Sequence, residues 1–229
     1  KRSEVEDVIA EARSYGGPVV MDFVVDEEVN VYPMVAPGKA LNEMLRRPVS
    51  ERIAAVRPLL RGAAPRLLDV GCATGVFLHT IQGMGSWEVH GSEVSPVATK
   101  CAREYYGLDV QTGELADAHY PDAHFDVITI WDVLEHVHDP TATLREMRRV
   151  LVPGGKLLFS EHGLAPDAEV RFWQRRLQPW WGCVSGGCRL DRDIPALLAQ
   201  AGFKPDVQQR YIPGPRFVSY HYWGEAVAA

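Results

Sequence analysis

The run Leu67-Leu68-Asp69-Val70-Gly71-Cys72-Ala73-Thr74-Gly75 constrains this chain more than any other part of it. Two apolar residues, an acid and a valine before a glycine-rich turn spell a buried strand that ends at a ligand. Val76-Phe77-Leu78-His79-Thr80-Ile81 then spells the helix that leaves it. Glycine lets backbone come close to a bound molecule, and a helix start offers N–H groups without partners inside the helix. Trp87-Glu88-Val89-His90-Gly91-Ser92-Glu93 alternates as a second strand and ends in an acid 18 residues after Gly75. A carboxylate at the end of a second parallel strand is the usual partner of two ribose hydroxyls. The chain is therefore expected to hold a nucleoside.

The loop spacing narrows which nucleoside. A dinucleotide loop reads G-x-G-x-x-G and brings a helix start against a pyrophosphate. Here the pattern is D-x-G-x-A-x-G, with Asp69 before the turn and Ala73 at its middle. A carboxylate so close suits a ligand carrying an ammonium and a sulfonium better than one carrying phosphates. Residues 67–75 resemble motif I of the class I S-adenosylmethionine-dependent methyltransferases, with Ala73 a small departure, and Glu93 matches their ribose-binding acid.

The resemblance continues through residue 162. Gly113-Glu114-Leu115 follows a third short strand, 109–112; the resemblance implies that Glu114 accepts from the adenine amino group while the next backbone N–H reads the ring. Phe125–Ile130 is a fourth strand that runs into Trp131-Asp132-Val133-Leu134-Glu135-His136-Val137, which is similar to the family's motif IV region. The implied cofactor set is Asp69, Gly71, Cys72, Ala73, Gly75, Glu93, Val94, Glu114, Leu115, Asp132 and Val133. S-adenosylmethionine is the implied cofactor, S-adenosylhomocysteine the product, and no metal is called for.

Local signals agree with that order of elements. Asp139-Pro140 supplies an N-cap and a first-turn proline, and Leu144, Met147, Val150 and Leu151 mark the apolar face of the helix that follows. Val152–Ser160 is a glycine-broken turn into a fifth strand. Strand–helix alternation of this kind predicts an α/β, Rossmann-like fold: a mostly parallel seven-stranded sheet with helices on both faces. Ligands of such sheets bind beyond the carboxyl ends of the strands, where Gly71, Glu93, Glu114 and Asp132 fall.

Composition removes other classes. A net charge of −6 argues against a nucleic-acid surface, which needs clustered basic residues. No apolar stretch approaches the ~20 residues that span a bilayer, and the N-terminus is charged and lacks a signal-peptide core. A cytoplasmic protein without stable membrane insertion is expected. The four cysteines are expected as free thiols, because Cys183 and Cys188 lack the paired spacing of a zinc site.

Residues 1–46 read as an N-terminal extension, and residues 47–229 as the methyltransferase domain. Gly17–Asp26 spells a buried strand, and together with Asn30–Met44 the stretch from about residue 4 to 46 resembles the C-terminal tail of acetolactate synthase large subunits. That family's thiamine- and magnesium-binding elements lie upstream of its tail, so no thiamine chemistry carries over. The strand's apolar face needs a partner, either as a lid across the active-site side or at a sheet edge, of this chain or of a second subunit in a homodimer.

Residues 161–229 form the acceptor side. The helix 170–181 is basic and Trp-rich, with Pro179 expected to end or kink it. Its aromatics either cover the sheet, line an apolar lid over the methyl donor, or meet a lipid surface. Asp193 starts a further helix that Gly202 stops, and two strands follow, 206–212 and 217–224. This tail resembles small-molecule methyltransferases related to the membrane-associated thiol methyltransferases. A base is needed only for an acceptor that enters protonated. His162 is the preferred candidate, beside Asp132, Glu135, His136, Tyr220, His221 and Tyr222. The reading is methyl transfer to a small thiol, hydroxyl or amine. The rivals are a nicotinamide-dependent oxidoreductase, and an inactive S-adenosylmethionine-binding or assembly module.

Overall fold

The computed structural model describes residues 49–59 and 65–228, together with Ser14. The acetolactate-synthase-like segment and the homodimer contact expected of it lie outside the described residues. Among the described residues seven strands make one sheet: β1 Arg66–Val70, β2 Glu88–Glu93, β3 Asp109–Thr112, β4 Phe125–Trp131, β5 Leu151–His162, β6 Phe203–Tyr211 and β7 Tyr220–Ala228. Their order across the sheet is β3-β2-β1-β4-β5-β7-β6. Strands β1 to β5 pair in parallel, and β7 lies antiparallel between β5 and β6. Parallel neighbours need a crossover, which helices provide up to β5. The connection 212–219 carries no helix, so β6 and β7 run antiparallel.

Helices are α1 Val49–Val56, α2 Val76–Gln82, α3 Pro96–Tyr106, α4 Pro140–Val150, α5 Ala168–Val184 and α6 Ile194–Gln200. Three start on the same device, a capping oxygen with a proline in the first turn. Ser95 accepts from Ala98 N–H at 3.3 Å, Asp139 from Ala142 at 2.9 Å and Asp193 from Ala196 at 3.1 Å. Adjacent residues of β1 point to opposite faces of the sheet. Leu68 packs with Met147 of α4 and Leu198 of α6, whereas Leu67 packs with Leu78 of α2 and Ala102 of α3. Both faces are therefore covered, which requires the near-continuous apolar strands seen in the sequence.

Helix α5 does not end at Pro179. It runs through Pro179, which is exposed, so the carbonyl left without its N–H partner can turn to water. Its buried face is polar. Gln174 takes Ala165 N–H and donates to Gly163 C=O, while Gln178 donates to Cys188 C=O and accepts from Leu190 N–H. Phe172, Trp173 and Trp180 instead face outward, with Trp180 76% exposed, and so do not cover the sheet. Two glutamines that satisfy four backbone groups of adjoining loops fix the helix's rotation, and that places the aromatics on the opposite side.

Candidate active site

The parallel register sets the site. Val70 aligns with Ser92 of β2 and Ile130 of β4, so the residues that follow these strands emerge along one edge. Gly71, Glu93, Glu114 and Asp132 all stand there, beyond the carboxyl ends of β1, β2, β3 and β4.

The loop after β1 is held by its neighbours. Gly71, at φ +73°, donates its N–H to Ser92 C=O at 2.8 Å, and Cys72 donates to the same oxygen at 3.2 Å. Ala73, also left-handed at φ +48°, donates to Glu93 Oε2 at 2.9 Å; Ser95 N–H donates to Glu93 Oε1 at 2.8 Å. Glu93 thus clamps the loop to the start of α3, and each oxygen keeps a further lone pair for a ligand hydroxyl. Val94, next to it, is 66% exposed. Gly113 N–H donates to Glu93 C=O at 3.0 Å, bringing exposed Glu114 and buried Leu115 to the same edge.

Two contributors escaped the sequence reading. Gly91, inside β2, has no room for a side chain: a Cβ there would stand 2.6 Å from Cys72 Sγ. A glycine within a strand pattern is the signal that marks such an approach. Arg52 of α1 donates to Asp132 Oδ2 at 3.3 Å, with its guanidinium 5.7 Å from the Trp131 ring. No spacing ties it to the motif. Asp132 itself is left-handed at φ +57° and donates its N–H to Ser160 C=O at 2.8 Å.

Asp69 is placed differently from the ligand-facing carboxylate expected. It lies inside the sheet, accepts from Thr129 Oγ1 at 2.6 Å, and is pushed up to about 7 by burial. The folded protein therefore holds a proton that the unfolded chain releases above its ordinary value of 3.8, and stability falls as pH rises between about 4 and 7. Asp69→Asn is expected to remove up to about 1.4 kcal/mol per pH unit of that slope. Urea unfolding of parent and variant across this window checks it; equal slopes would count against a buried, protonated Asp69.

A second cluster stands where β5 ends. Glu161 is fully buried, and its Oε2 accepts from Val133 and Leu134 N–H at 2.9 and 2.8 Å. Burial and the charge of Glu135 push Glu161 well up, so it keeps its proton. Among the described residues, Oε1 of Glu161 and Oε2 of Glu135 have no other partner, and a proton held between the two carboxyls satisfies both. Glu135 Oε1 lies 3.0 Å from His162 Nδ1, and His162 Nε2 lies 3.3 Å from Cys188 Sγ. Burial opposes a charge on His162, but Glu135 and Cys188 together raise it to about 10. The ring is an imidazolium at neutral pH, with both N–H groups donating. Of the other candidate bases, His136 Nδ1 donates to Gly186 C=O at 3.2 Å, Tyr222 donates its hydroxyl to Leu164 C=O, and His221 lies with its ring 5.8 Å from that of His162. Among the described residues, no group of three or more His, Cys, Asp and Glu side chains is arranged to hold a metal ion.

The sheet order and the ligand edge define the Rossmann-like fold of the class I methyltransferases. A methyltransferase-domain family model matches residues 41–208, and the chain belongs to that family. The thiol S-methyltransferase TMT1B of Rattus norvegicus is 37% identical over 110 residues, covering 46% of this chain and 45% of that protein. A ubiquinone biosynthesis O-methyltransferase of Xanthomonas oryzae pv. oryzae is 36% identical over 140 residues, covering 58% and 56%. The chain thus spans about half the length of these curated relatives. The [4+2]-cyclase SpnF superposes with a TM-score of 0.64 at 20% identity, over 79% of this chain and 80% of that one. A methyltransferase from Mesorhizobium loti does so at 0.58 and 20%, over 76% and 96%.

The edge fits S-adenosylmethionine on its own features. At Gly71 a Cβ would stand 2.4 Å from Val133 Cγ2, so the Val133 side chain packs directly on the glycine backbone there. Glu93 has lone pairs to spare beside exposed Val94, and the indole N–H of buried Trp131 has no partner among the described residues. The acids at the edge suit a cation, whereas a pyrophosphate would meet Glu93 and Asp132.

Proposed function

We propose that this chain transfers a methyl group from S-adenosylmethionine to a small molecule bearing a thiol, hydroxyl or amine. The observation that carries the reading is Glu93, which clamps the loop after β1 while keeping acceptor capacity beside an exposed valine. The relatives named as a thiol S-methyltransferase and a ubiquinone biosynthesis O-methyltransferase support a small acceptor. Fold alone would not decide the chemistry, since SpnF, a cyclase, shares it.

S-adenosylmethionine, when bound, supplies an electrophilic methyl on a sulfonium. The protein's part is to bind and orient. Glu93 offers carboxylate oxygens to ribose hydroxyls, Val94 and Leu115 offer apolar contact and a backbone N–H to the base, and Glu114 accepts from its amino group. Gly71, Cys72, Ala73 and Gly75 bring backbone alongside the amino-acid part; Asp132 and Val133 close the far side, and Asp69 braces the loop from within. Orientation of donor and acceptor supplies much of the acceleration for an in-line displacement. His162 we place at the acceptor, as the cation facing it. An imidazolium cannot take up a proton; it favours an acceptor that enters as its anion, because a nearby cation holds the acceptor's pKa down. The domain boundary near residue 46 belongs to the same reading.

Calorimetric titration with S-adenosylmethionine and S-adenosylhomocysteine, with NADH as control, tests it, followed by methyl transfer to thiols, phenols and amines. Glu93→Ala is expected to weaken cofactor binding about ten- to a hundredfold, the worth of hydrogen bonds to a charged group. Unchanged affinity would remove Glu93 from the site. Binding without transfer to any acceptor would favour the inactive binding module, and binding of NADH alone the oxidoreductase.

A further inference from the structure

The end of β5 carries a cysteine that methyl transfer does not use. Four cysteines are present and all are free. Cys72 is buried against Asp69 and Glu93, and burial with those acids pushes its thiol well above the usual range. Cys183 is exposed, Cys101 is half-buried, and Cys188 alone sits against an imidazole backed by a carboxylate, with distances of 3.3 Å from Sγ to His162 Nε2 and 3.0 Å from Nδ1 to Glu135. We propose that Cys188 is a nucleophilic thiol, activated by the His162–Glu135 pair, and that small peroxides oxidise it to a sulfenic acid.

Cysteine reacts as the thiolate, and a cation within hydrogen-bond reach stabilises that form. The cation is fixed here, because Glu135 is buried with it and is itself held by the proton on Glu161. The cysteine is fixed as well. Gln178 donates to its carbonyl at 2.9 Å and accepts from Leu190 N–H at 2.6 Å, and Arg189 N–H between them donates to Glu135 C=O at 2.9 Å. Cys188 is 4% exposed, which favours a small reagent over a bulky one at the sulfur. In the step, the Cys188 thiolate, its proton lost to solvent, attacks one peroxide oxygen; the S–O bond forms as the O–O bond breaks, and hydroxide leaves. That hydroxide takes the proton of His162 Nε2 and departs as water; sulfur is oxidised and peroxide reduced. None of this depends on the methyl-transfer reading.

The groups facing the pair are Glu135, Glu161, His136, His221 on β7, and Arg192, whose charge meets Glu135, Asp191 and Cys188. The test treats the full chain with equimolar hydrogen peroxide between about pH 6 and 8, then unfolds it in dimedone so that every sulfenic acid is reached, reading each cysteine by peptide mass spectrometry. Trapping at Cys188 is expected to change less than about threefold over this range, while that at exposed Cys183 rises steeply with pH. Glu135→Gln is expected to give Cys188 the slope of Cys183. Should that variant not fold, the ratio of the two rates in the parent decides by itself. A Cys188 that tracks Cys183 with pH, or stays unlabelled while Cys183 is trapped, overturns the proposal.

Discussion

Gly71→Val is expected to lower affinity for S-adenosylmethionine by more than about a hundredfold and to destabilise the fold at once. The two effects have separate sources. At φ +73° any Cβ costs about 1–2 kcal/mol in backbone strain. The same Cβ would stand 2.4 Å from Val133 Cγ2, closer than any relaxed contact, and valine's two methyls add to the collision. The turn after β4 cannot retreat freely, because Val133 and Leu134 N–H are both tied to buried Glu161. Val133→Ala in the same chain is expected to recover the steric part and leave the strain, so the two substitutions should couple. Urea unfolding and calorimetric titration of both singles and the double measure this. Strict additivity would show that Val133 is not what the new side chain meets.

Glu135→Gln is the second large effect, about 3–5 kcal/mol of stability at neutral pH, because it leaves a buried imidazolium without its counter-charge. The pH dependence gives the sign. His162 is raised from 6.5 to about 10, so the stability it contributes is fully present below pH 6.5 and is lost as pH rises to 10. The parent should therefore weaken across that window. The variant, whose His162 has lost the carboxylate that raises it, should not. Imidazole titration by NMR together with denaturation at several pH values checks both halves. A His162 that titrates near its ordinary value in the parent would refute the ion pair.

The elements that could be read from the sequence are those whose signals are local. The acid–glycine loop announces the end of β1, the proline after Asp139 and the Asp193 cap announce α4 and α6, and apolar strands announce a sheet covered on both faces. Parallel pairing then sends Gly71, Glu93, Glu114 and Asp132 to one edge without further information. What stayed hidden depends on partners far away in the chain. Arg52 meets Asp132 across 80 residues, and Thr129 lies 60 from the Asp69 it hydrogen-bonds. Asp69 looks like a ligand's counter-charge in a string of letters and is a buried brace in space. Helix α5 looks like an aromatic cover, yet Gln174 and Gln178 turn it the other way.

The sequence by itself determined the fold class and the edge where a ligand binds, because periodicity, caps and glycine turns act within a few residues of their own position. Only the tertiary structure decided the charge states of Asp69, Glu161 and His162 and the meeting of His162 with Cys188. Burial and charge–charge distance, which set those properties, exist only once the chain has closed on itself.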